Sequence, residues 1–303
     1  METCETVVAM WRLRASWPGR VALVPTMGAL HAGHMALVAE ARARAEHVVV
    51  SIFVNPTQFG DPKDLAAYPK TLEADRLMLE QAGVDALFLP PVAEMYPEGD
   101  ETVVEVTRLS GLYHGAVRPG HFRGVSTVVL RLLNIVGPDV AMFGEKDYQQ
   151  LAVIRRMVRD LFVPVEIVGV PTLREADGLA MSSRNVRLSP ADRAAAVVLG
   201  RALDRAEAMV RDGSTLEEMV AAIRETVEAE PRASLRGLDV VDAESFRPVV
   251  RHLTGRAGIM ISAEFGGVLL IDQREIDPPR PGTLPQPRDA DTDTDAAPRE
   301  ETP

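Results

Sequence analysis

Up to about residue 170 the chain alternates short apolar, β-branched runs with segments of helical period, and this alternation constrains its fold more than any other feature. VALVP (21–25), in which Pro25 is expected to end a strand, is followed by a helical pattern over 34–46 and then by VVVSIFVNP (48–56). A helix over 71–82 leads to VDALFLP (84–90), and a less regular stretch containing TVVEV (102–106) precedes a helix over 124–136. The run DVAMFG (139–144), a helix over 148–161 and VPVEIVGVP (163–171) complete the series. Strands separated by helices pair in parallel through right-handed crossovers, with both sheet faces covered. The expectation is an α/β fold, a Rossmann-like doubly wound parallel sheet. No GxGxxG occurs, so a dinucleotide-binding variant has no support.

The texture changes after VGVPTLREADG. Two amphipathic helices are expected over about 190–212 and 215–229, the first with Ser189 as N-cap and Pro190 as first helical residue. The strand-like runs LDVVD, GIMISAEF and VLLID follow. These read as a smaller α+β C-terminal domain, giving a first domain over 1–172 and a second over 173–276. From 277 to 303 proline, aspartate and threonine dominate, with seven acids against three arginines. That tail is expected to be disordered and dispensable for folding.

Composition narrows the function classes. A net charge of −11 argues against nonspecific nucleic-acid binding. No apolar run approaches the roughly 18 residues a membrane span needs, and the first residues lack the basic-then-apolar pattern of a signal peptide. The single cysteine, Cys4, allows neither an internal disulfide nor a CxxC zinc site. The chain therefore reads as cytoplasmic. Lysine occurs three times only, at 63, 70 and 146, so a position that keeps it is of interest.

Five segments carry chemistry. In ALVPTMGALHAGH (22–34) a strand passes through a glycine-containing turn into a helix start, where free N–H groups favour an anion. His31 and His34, three apart, point the same way and suit a phosphate chain. NPTQFG (55–60) follows a strand at the carboxyl edge where such sheets bind ligands, and its Asn55 and Gln58 suit a small polar substrate; Asn-Pro is also ordinary turn chemistry. RPGHFRGV (118–125) sets Arg118 and His121 before a helix, either as an anion site or as a solvated basic loop. In FGEKDYQQL (143–151) Lys146 suits a phosphate, Asp147 a ribose hydroxyl and Gln150 a substrate polar group; an exposed charged helix start is the plainer reading. LAMSSRN (179–185) offers Ser182, Ser183 and Arg184 to a triphosphate from the domain boundary, where a lid would sit or a plain linker would run.

The HxGH pattern resembles the signature of nucleotidyl-transfer enzymes. PTMGALHAGH, SIFVNPTQFG, DLAAYPKT, RPGHFRGV, FGEKDYQQL and READGLAMSSRN together, in order and spacing over about residues 20–190, resemble the pantoate–β-alanine ligase (pantothenate synthetase) family. The resemblance implies a two-domain enzyme that joins pantoate to β-alanine with ATP through a pantoyl-adenylate. It also implies a cytoplasmic homodimer that uses Mg²⁺ held mainly by ATP phosphates rather than by protein ligands, with no nucleic-acid or membrane partner. Carried over by position, Met27, Gly28, Ala29, Leu30, His31, Ala32, Gly33 and His34 would line the ATP site, as would Gly144, Glu145, Lys146 and Asp147. Leu173, Met181, Ser182, Ser183 and Arg184 would close over ATP from the second domain. His34, His31, Lys146 and Arg184 would carry the catalysis, Gln58 and Gln150 would hold pantoate, and Gln58 would also meet β-alanine. Asn55, Tyr68, Arg118 and His121 lie in matching motifs without an assigned role.

The chain departs from the family pattern late. Its last strand reads LLIDQ (269–273) where RLIDN is common, Val186-Arg187-Leu188 stands where an aromatic is frequent, and the acidic tail is an extension. Two other readings share these residues. One is a true nucleotidyltransferase releasing a stable adenylylated product, against which the SSR segment and the two glutamines count. The other is a silent metabolite-binding protein, which no missing reactive group favours. Amine-dependent AMP release separates a ligase from both.

Overall fold

The computed structural model describes residues 1–250 and 252–278. The expected tail lies outside the described residues from position 279 on. In chain order the first part of the molecule holds β1 (Glu2–Cys4), α1 (Val7–Ser16), β2 (Val21–Thr26), α2 (Ala32–Arg44), β3 (His47–Ile52), α3 (Pro62–Ala66), α4 (Leu72–Gln81) and β4 (Ala86–Phe88). There follow α5 (Val92–Met95), α6 (Thr107–Ser110), α7 (His114–Val117), α8 (His121–Val136), β5 (Val140–Gly144), α9 (Tyr148–Asp160) and β6 (Glu166–Val170). The remainder comprises α10 (Pro190–Ala195), α11 (Val198–Arg211), α12 (Leu216–Glu228), β7 (Ser234–Asp242), β8 (Ala257–Phe265) and β9 (Val268–Ile276).

Strands β1 to β6 form one parallel sheet in the order β1-β4-β3-β2-β5-β6. Alternate residues of each strand feed opposite faces, as pleating requires. Val21, Leu23, Val49 and Ala141 pack with α1, α8 and α9; Ala22, Val24, Val48, Val50 and Met142 pack with α2 and α4. Two helical layers over a parallel sheet are the doubly wound arrangement the alternation predicts.

The strand order reverses direction between β2 and β5, where a ligand crevice belongs. Pro25 lies inside β2 instead of ending it. Val21 exchanges bonds with Asp139 on the β5 side, so by alternation Pro25 also faces β5. Pairing with β5 stops at Leu23, so the absent N–H of Pro25 leaves no partner orphaned and the two strands splay apart there.

Other differences have equally local causes. The N-terminus, read only for targeting signals, supplies the edge strand β1, which pairs with β4, and α1, whose N-cap Thr6 accepts from the Ala9 N–H. TVVEV forms no strand; the Val104 N–H is taken instead by the Thr127 hydroxyl of α8 at 3.0 Å. The helix expected over 190–212 breaks at Ala196–Val197 into α10 and α11, while Ser189 and Pro190 serve as N-cap and first residue. The helix after HAGH starts at Ala32, two residues before expectation, because His31 caps it.

Strands β7, β8 and β9 form a separate antiparallel sheet. Leu270, Ile276, Ile259, Ile261 and Ala263 pack with Leu199, Leu203, Met219 and Ile223 of α11 and α12 in their own core. We propose a division into residues 1–172 and 173–276 on this separation of cores. Among the described residues no helix is long and apolar enough to cross a membrane.

Candidate functional site

The turn between β2 and α2 is built from both ends. Thr26 Oγ1 donates to the Ser51 carbonyl and accepts from the Gly28 N–H, at 2.8 and 3.2 Å. Gly28 (φ 80°) and Ala29 (φ 51°) are both left-handed, a conformation that disfavours a Cβ by roughly 1–2 kcal/mol. Asp75 of α4 holds them there. Its carboxylate, 2% exposed, accepts from the Ala29 and Leu30 N–H groups, each at 2.9 Å, and from the Thr71 hydroxyl at 3.0 Å.

The two histidines then cap the helix reciprocally. The His31 Nδ1 accepts from the Gly33 N–H (3.1 Å) and the His34 Nδ1 from the His31 N–H (3.3 Å). A Cβ on residue 33 would lie 2.8 Å from the His31 ring, so only glycine fits beneath it. Some of the N–H groups expected to face an anion are thus spent on the rings. The rings compensate: with each Nδ1 accepting, each neutral imidazole carries its proton on Nε2. Burial, then the neighbouring His31 and Lys146 charges, pushes His34 down to about 3. Burial and Lys146 lower His31 as well. The rings, 4.1 Å apart, are therefore neutral Nε2–H donors at ordinary pH.

A second wall rises from the 3₁₀ turn at Pro56–Gln58. Asn55, 1% exposed, spends all its capacity on the protein: its Oδ1 accepts from Thr57 and from the Tyr96 hydroxyl (2.7 Å), and its Nδ2 donates to Gln58 Oε1 (3.0 Å) and the Gly124 carbonyl. Asn55 thus positions Gln58, whose Nε2 points to Met27 Sδ at 3.2 Å. Gly124 is required because a Cβ there would meet the Thr57 carbonyl at 2.6 Å. His121 Nδ1 lies 2.8 Å from the Gln58 carbonyl, which makes it the donor, and burial followed by Arg118 lowers this imidazole to about 4.

Beyond β5, Lys146 Nζ lies 3.9 Å from Asp147 in a 3₁₀ turn that leads into α9. Burial works to raise the Asp147 carboxyl, but Lys146, Arg184 and two histidines outweigh it and hold it low. Arg118 is lowered by burial and by Arg184. The segment carrying Ser182–Arg184 is pinned at its base: Arg174 makes a bidentate pair with buried Asp272 at 2.7 and 2.9 Å, and Asn185 donates to Glu175 at 2.9 Å. Tyr68 reaches Ser183 from the first domain, with burial raising its phenol.

These walls enclose one cleft of about 760 Å³ between the carboxyl edge of the parallel sheet and the open face of the antiparallel one, within the size range of small-molecule sites. Met27, His31, Gly33, His34, Gly144, Lys146, Asp147, Leu173, Met181, Ser182, Ser183 and Arg184 line it, as do Asn55, Gln58, Tyr68, Arg118, His121 and Gln150. Gly28, Ala29, Leu30, Ala32 and Glu145 do not. The first three form the turn behind His31, Ala32 begins α2, and Glu145 faces Glu275 and Arg155, its carboxyl raised by burial. Asp75 and Tyr96 carried no signal in the sequence, because each acts on backbone or side chains more than 40 residues away. The roof residues Met260, Ser262 and Gln273 carried none either, because a strand's free face shows only once its partner layer is known.

The described chain matches the family model "Pantoate-beta-alanine ligase" over residues 1–275. A pantothenate synthetase of Thermus thermophilus is 52% identical over 275 residues, covering 90% of this chain and 99% of its own. One of Heliobacterium modesticaldum is 50% identical over 281 residues, covering 91% and 99%. Among solved structures, the Thermus thermophilus pantothenate synthetase superposes with a TM-score of 0.87 at 51% identity, covering 92% of this chain and 100% of that one. A Francisella tularensis pantoate–β-alanine ligase, complexed with "Beta-gamma ATP and Beta-alanine", superposes at 0.75 with 35% identity, covering 90% and 97%. The chain belongs to the pantoate–β-alanine ligase family.

Proposed function

We propose that this protein condenses pantoate with β-alanine at the expense of ATP, forming pantothenate, AMP and pyrophosphate through a pantoyl-adenylate. The observation that carries the reading is a single cleft holding, from three separate segments, the neutral His31–His34 pair, Lys146 and Arg184. A carboxylate is a poor acceptor for an amine because oxide would have to leave. Attack of the pantoate carboxylate on the ATP α-phosphorus forms a mixed anhydride and releases pyrophosphate, and the amine then displaces AMP. His34 and His31 donate Nε2–H to the phosphate oxygens, while Lys146 and Arg184 neutralise charge on the leaving pyrophosphate. Gln58, fixed by Asn55, and Gln150 orient pantoate; Gln58 also meets β-alanine. Asp147 suits the ribose hydroxyls, and the Leu173 and Met181–Arg184 segment covers the nucleotide.

The donor set facing the phosphates is made of cations and neutral N–H donors, which fits a triphosphate that brings its own Mg²⁺ held mainly by its phosphate oxygens; Asp147, beside Lys146, is the carboxylate that would be able to meet that ion. The family likeness extends the reading to a cytoplasmic protein and to a homodimer, the second of which sedimentation of the purified protein checks.

Labelled pyrophosphate should exchange into ATP when pantoate is present and β-alanine absent, and AMP and pantothenate should appear together once β-alanine is added. Exchange that requires β-alanine would overturn the two-step order, and product formation without amine would favour a nucleotidyltransferase. Lys146→Ala should lower exchange by roughly 10²–10³-fold with an unchanged melting temperature, since this lysine's one ion pair among the described residues is long and weak.

A further inference from the structure

Among the described residues four carboxylates line the cleft: Asp147, Asp239, Glu264 and Asp272. Three are matched. Lys146 stands 3.9 Å from Asp147, Arg236 pairs with Glu264 at 3.1 Å, and Arg174 clasps Asp272. Asp239 has no side-chain hydrogen bond or ion pair among the described residues, although it is half-buried. An uncompensated carboxylate withdrawn from water is costly, and proteins keep one where a ligand supplies the missing charge.

A second unsatisfied group faces the same place. Among the described residues the Tyr113 hydroxyl is buried without a hydrogen-bond partner, and Tyr113 lines the cleft too. Its backbone sits at φ 47°, ψ −117°, a strained conformation for a tyrosine and one found most often at functional sites. Its ring is held edge-on to Phe246 at 5.9 Å, so the phenol is fixed and not swinging free. Asp239 lies near enough to help raise the phenol above its ordinary range, after burial itself.

Strand register gives the pair its location. Asp239, Met260 and Gln273 stand side by side across β7, β8 and β9, one row inward from Val241, Gly258 and Glu275. That outer row rests on Tyr148, whose hydroxyl donates to Glu275 at 2.8 Å. Asp239 therefore faces the cleft next to the junction of the two sheets. The phosphate-binding groups of the site, in contrast, are cations and neutral donors.

We propose that Asp239 and Tyr113 form the subsite for the ammonium group of the amine substrate. The inference rests on the ligase reading. Of ATP, pantoate and β-alanine only the last carries a positive charge at neutral pH. A primary ammonium has three N–H donors, one for the Asp239 carboxylate and one for the Tyr113 oxygen, which satisfies both orphaned groups at once. The remaining cleft would repel this cation, so a lone carboxylate there selects an amine and sets its nitrogen apart from the polyphosphate.

The test separates the two half-reactions in the full chain. Asp239→Asn should raise the KM for β-alanine by about 10-fold or more, while pantoate-dependent pyrophosphate exchange stays within about twofold. Tyr113→Phe should raise the same KM by a smaller factor. Asp239→Asn should melt no lower than the parent, because it removes an unpaired charge; a structural role would lower the melting temperature. A β-alanine KM unchanged in the folded Asp239→Asn variant overturns the proposal, as does an equal fall in exchange and synthesis. A parent protein that shows no exchange overturns the ligase reading and this subsite with it, whereas normal parent activity beside an indifferent Asp239→Asn overturns the subsite alone.

Discussion

At the scale of single residues the site depends on imidazoles kept neutral. His34 sits at about 3 and His121 at about 4, both lowered first by burial. An unfolded chain protonates these rings near pH 6.5. Between that pH and the folded values the unfolded state therefore binds more protons, so stability is lost as pH falls. His34→Asn keeps an acceptor where Nδ1 stands and removes one of the titrations. Its acid unfolding, followed by circular dichroism from pH 7 to 4, should lose stability less steeply, by at most about 1.4 kcal/mol per pH unit. An unchanged slope would mean that His34 is protonated in the folded state and does not act as a neutral donor. The residue identities at this scale were legible because HxGH, FGEKD and MSSRN are contiguous. The state of the rings was not: it follows from the reciprocal cap between His31 and His34, which depends on where α2 begins.

At the scale of elements, helix α4 does for the β2–α2 turn what the turn cannot do for itself. Gly28 takes left-handed backbone freely, but Ala29 is held there by Asp75, which accepts from the Leu30 and Ala29 N–H groups 45 and 46 residues away in sequence. Asp75→Asn would set an amide N–H₂ against one of those donors and leave it unsatisfied, costing roughly 1–3 kcal/mol. The expected outcome is a folded protein with a lower melting temperature and a kcat reduced about 10-fold or more, since His31 and His34 lose their fixed start. A normal kcat in the folded variant would show that the histidines are held by the cap alone. The strands and long helices were readable from periodicity, since β2, β3, β5 and α9 carry patterns that burial alone explains. The break between α10 and α11 was not readable, because Ala196 and Val197 are good enough helix formers to hide it. Nor was β1, a three-residue strand whose pairing depends wholly on β4.

At the scale of the whole molecule, the cleft exists only because two sheets with separate cores meet at one edge. The Lys146–Asp147 turn immediately precedes Tyr148, and Tyr148 is the post on which the antiparallel sheet rests. Its ring occupies the space a side chain at Gly258 would need: a Cβ there would fall 2.3 Å from Tyr148 Cε1 and 2.7 Å from the hydroxyl. Phe246 packs on the same ring at 5.5 Å, and Arg108 reaches across to the Ser245 carbonyl at 2.7 Å, so the junction is dense and has little room to yield. Gly258→Ala must therefore push the two sheets apart, at the roughly 1–3 kcal/mol typical of overpacking. Groups on the far side of the cleft then meet the nucleotide less well, although none of them is altered. The melting temperature should fall by several degrees, and the KM for ATP should rise about 10-fold if Lys146 and Arg184, which line the same cleft from separate segments, both meet the nucleotide as proposed. Tyr148→Phe, which keeps the ring and loses only the bond to Glu275, should change ATP binding far less. A Gly258→Ala protein with a lower melting temperature but an unchanged KM for ATP would show that the junction only packs the sheets together and does not set the distance across the site.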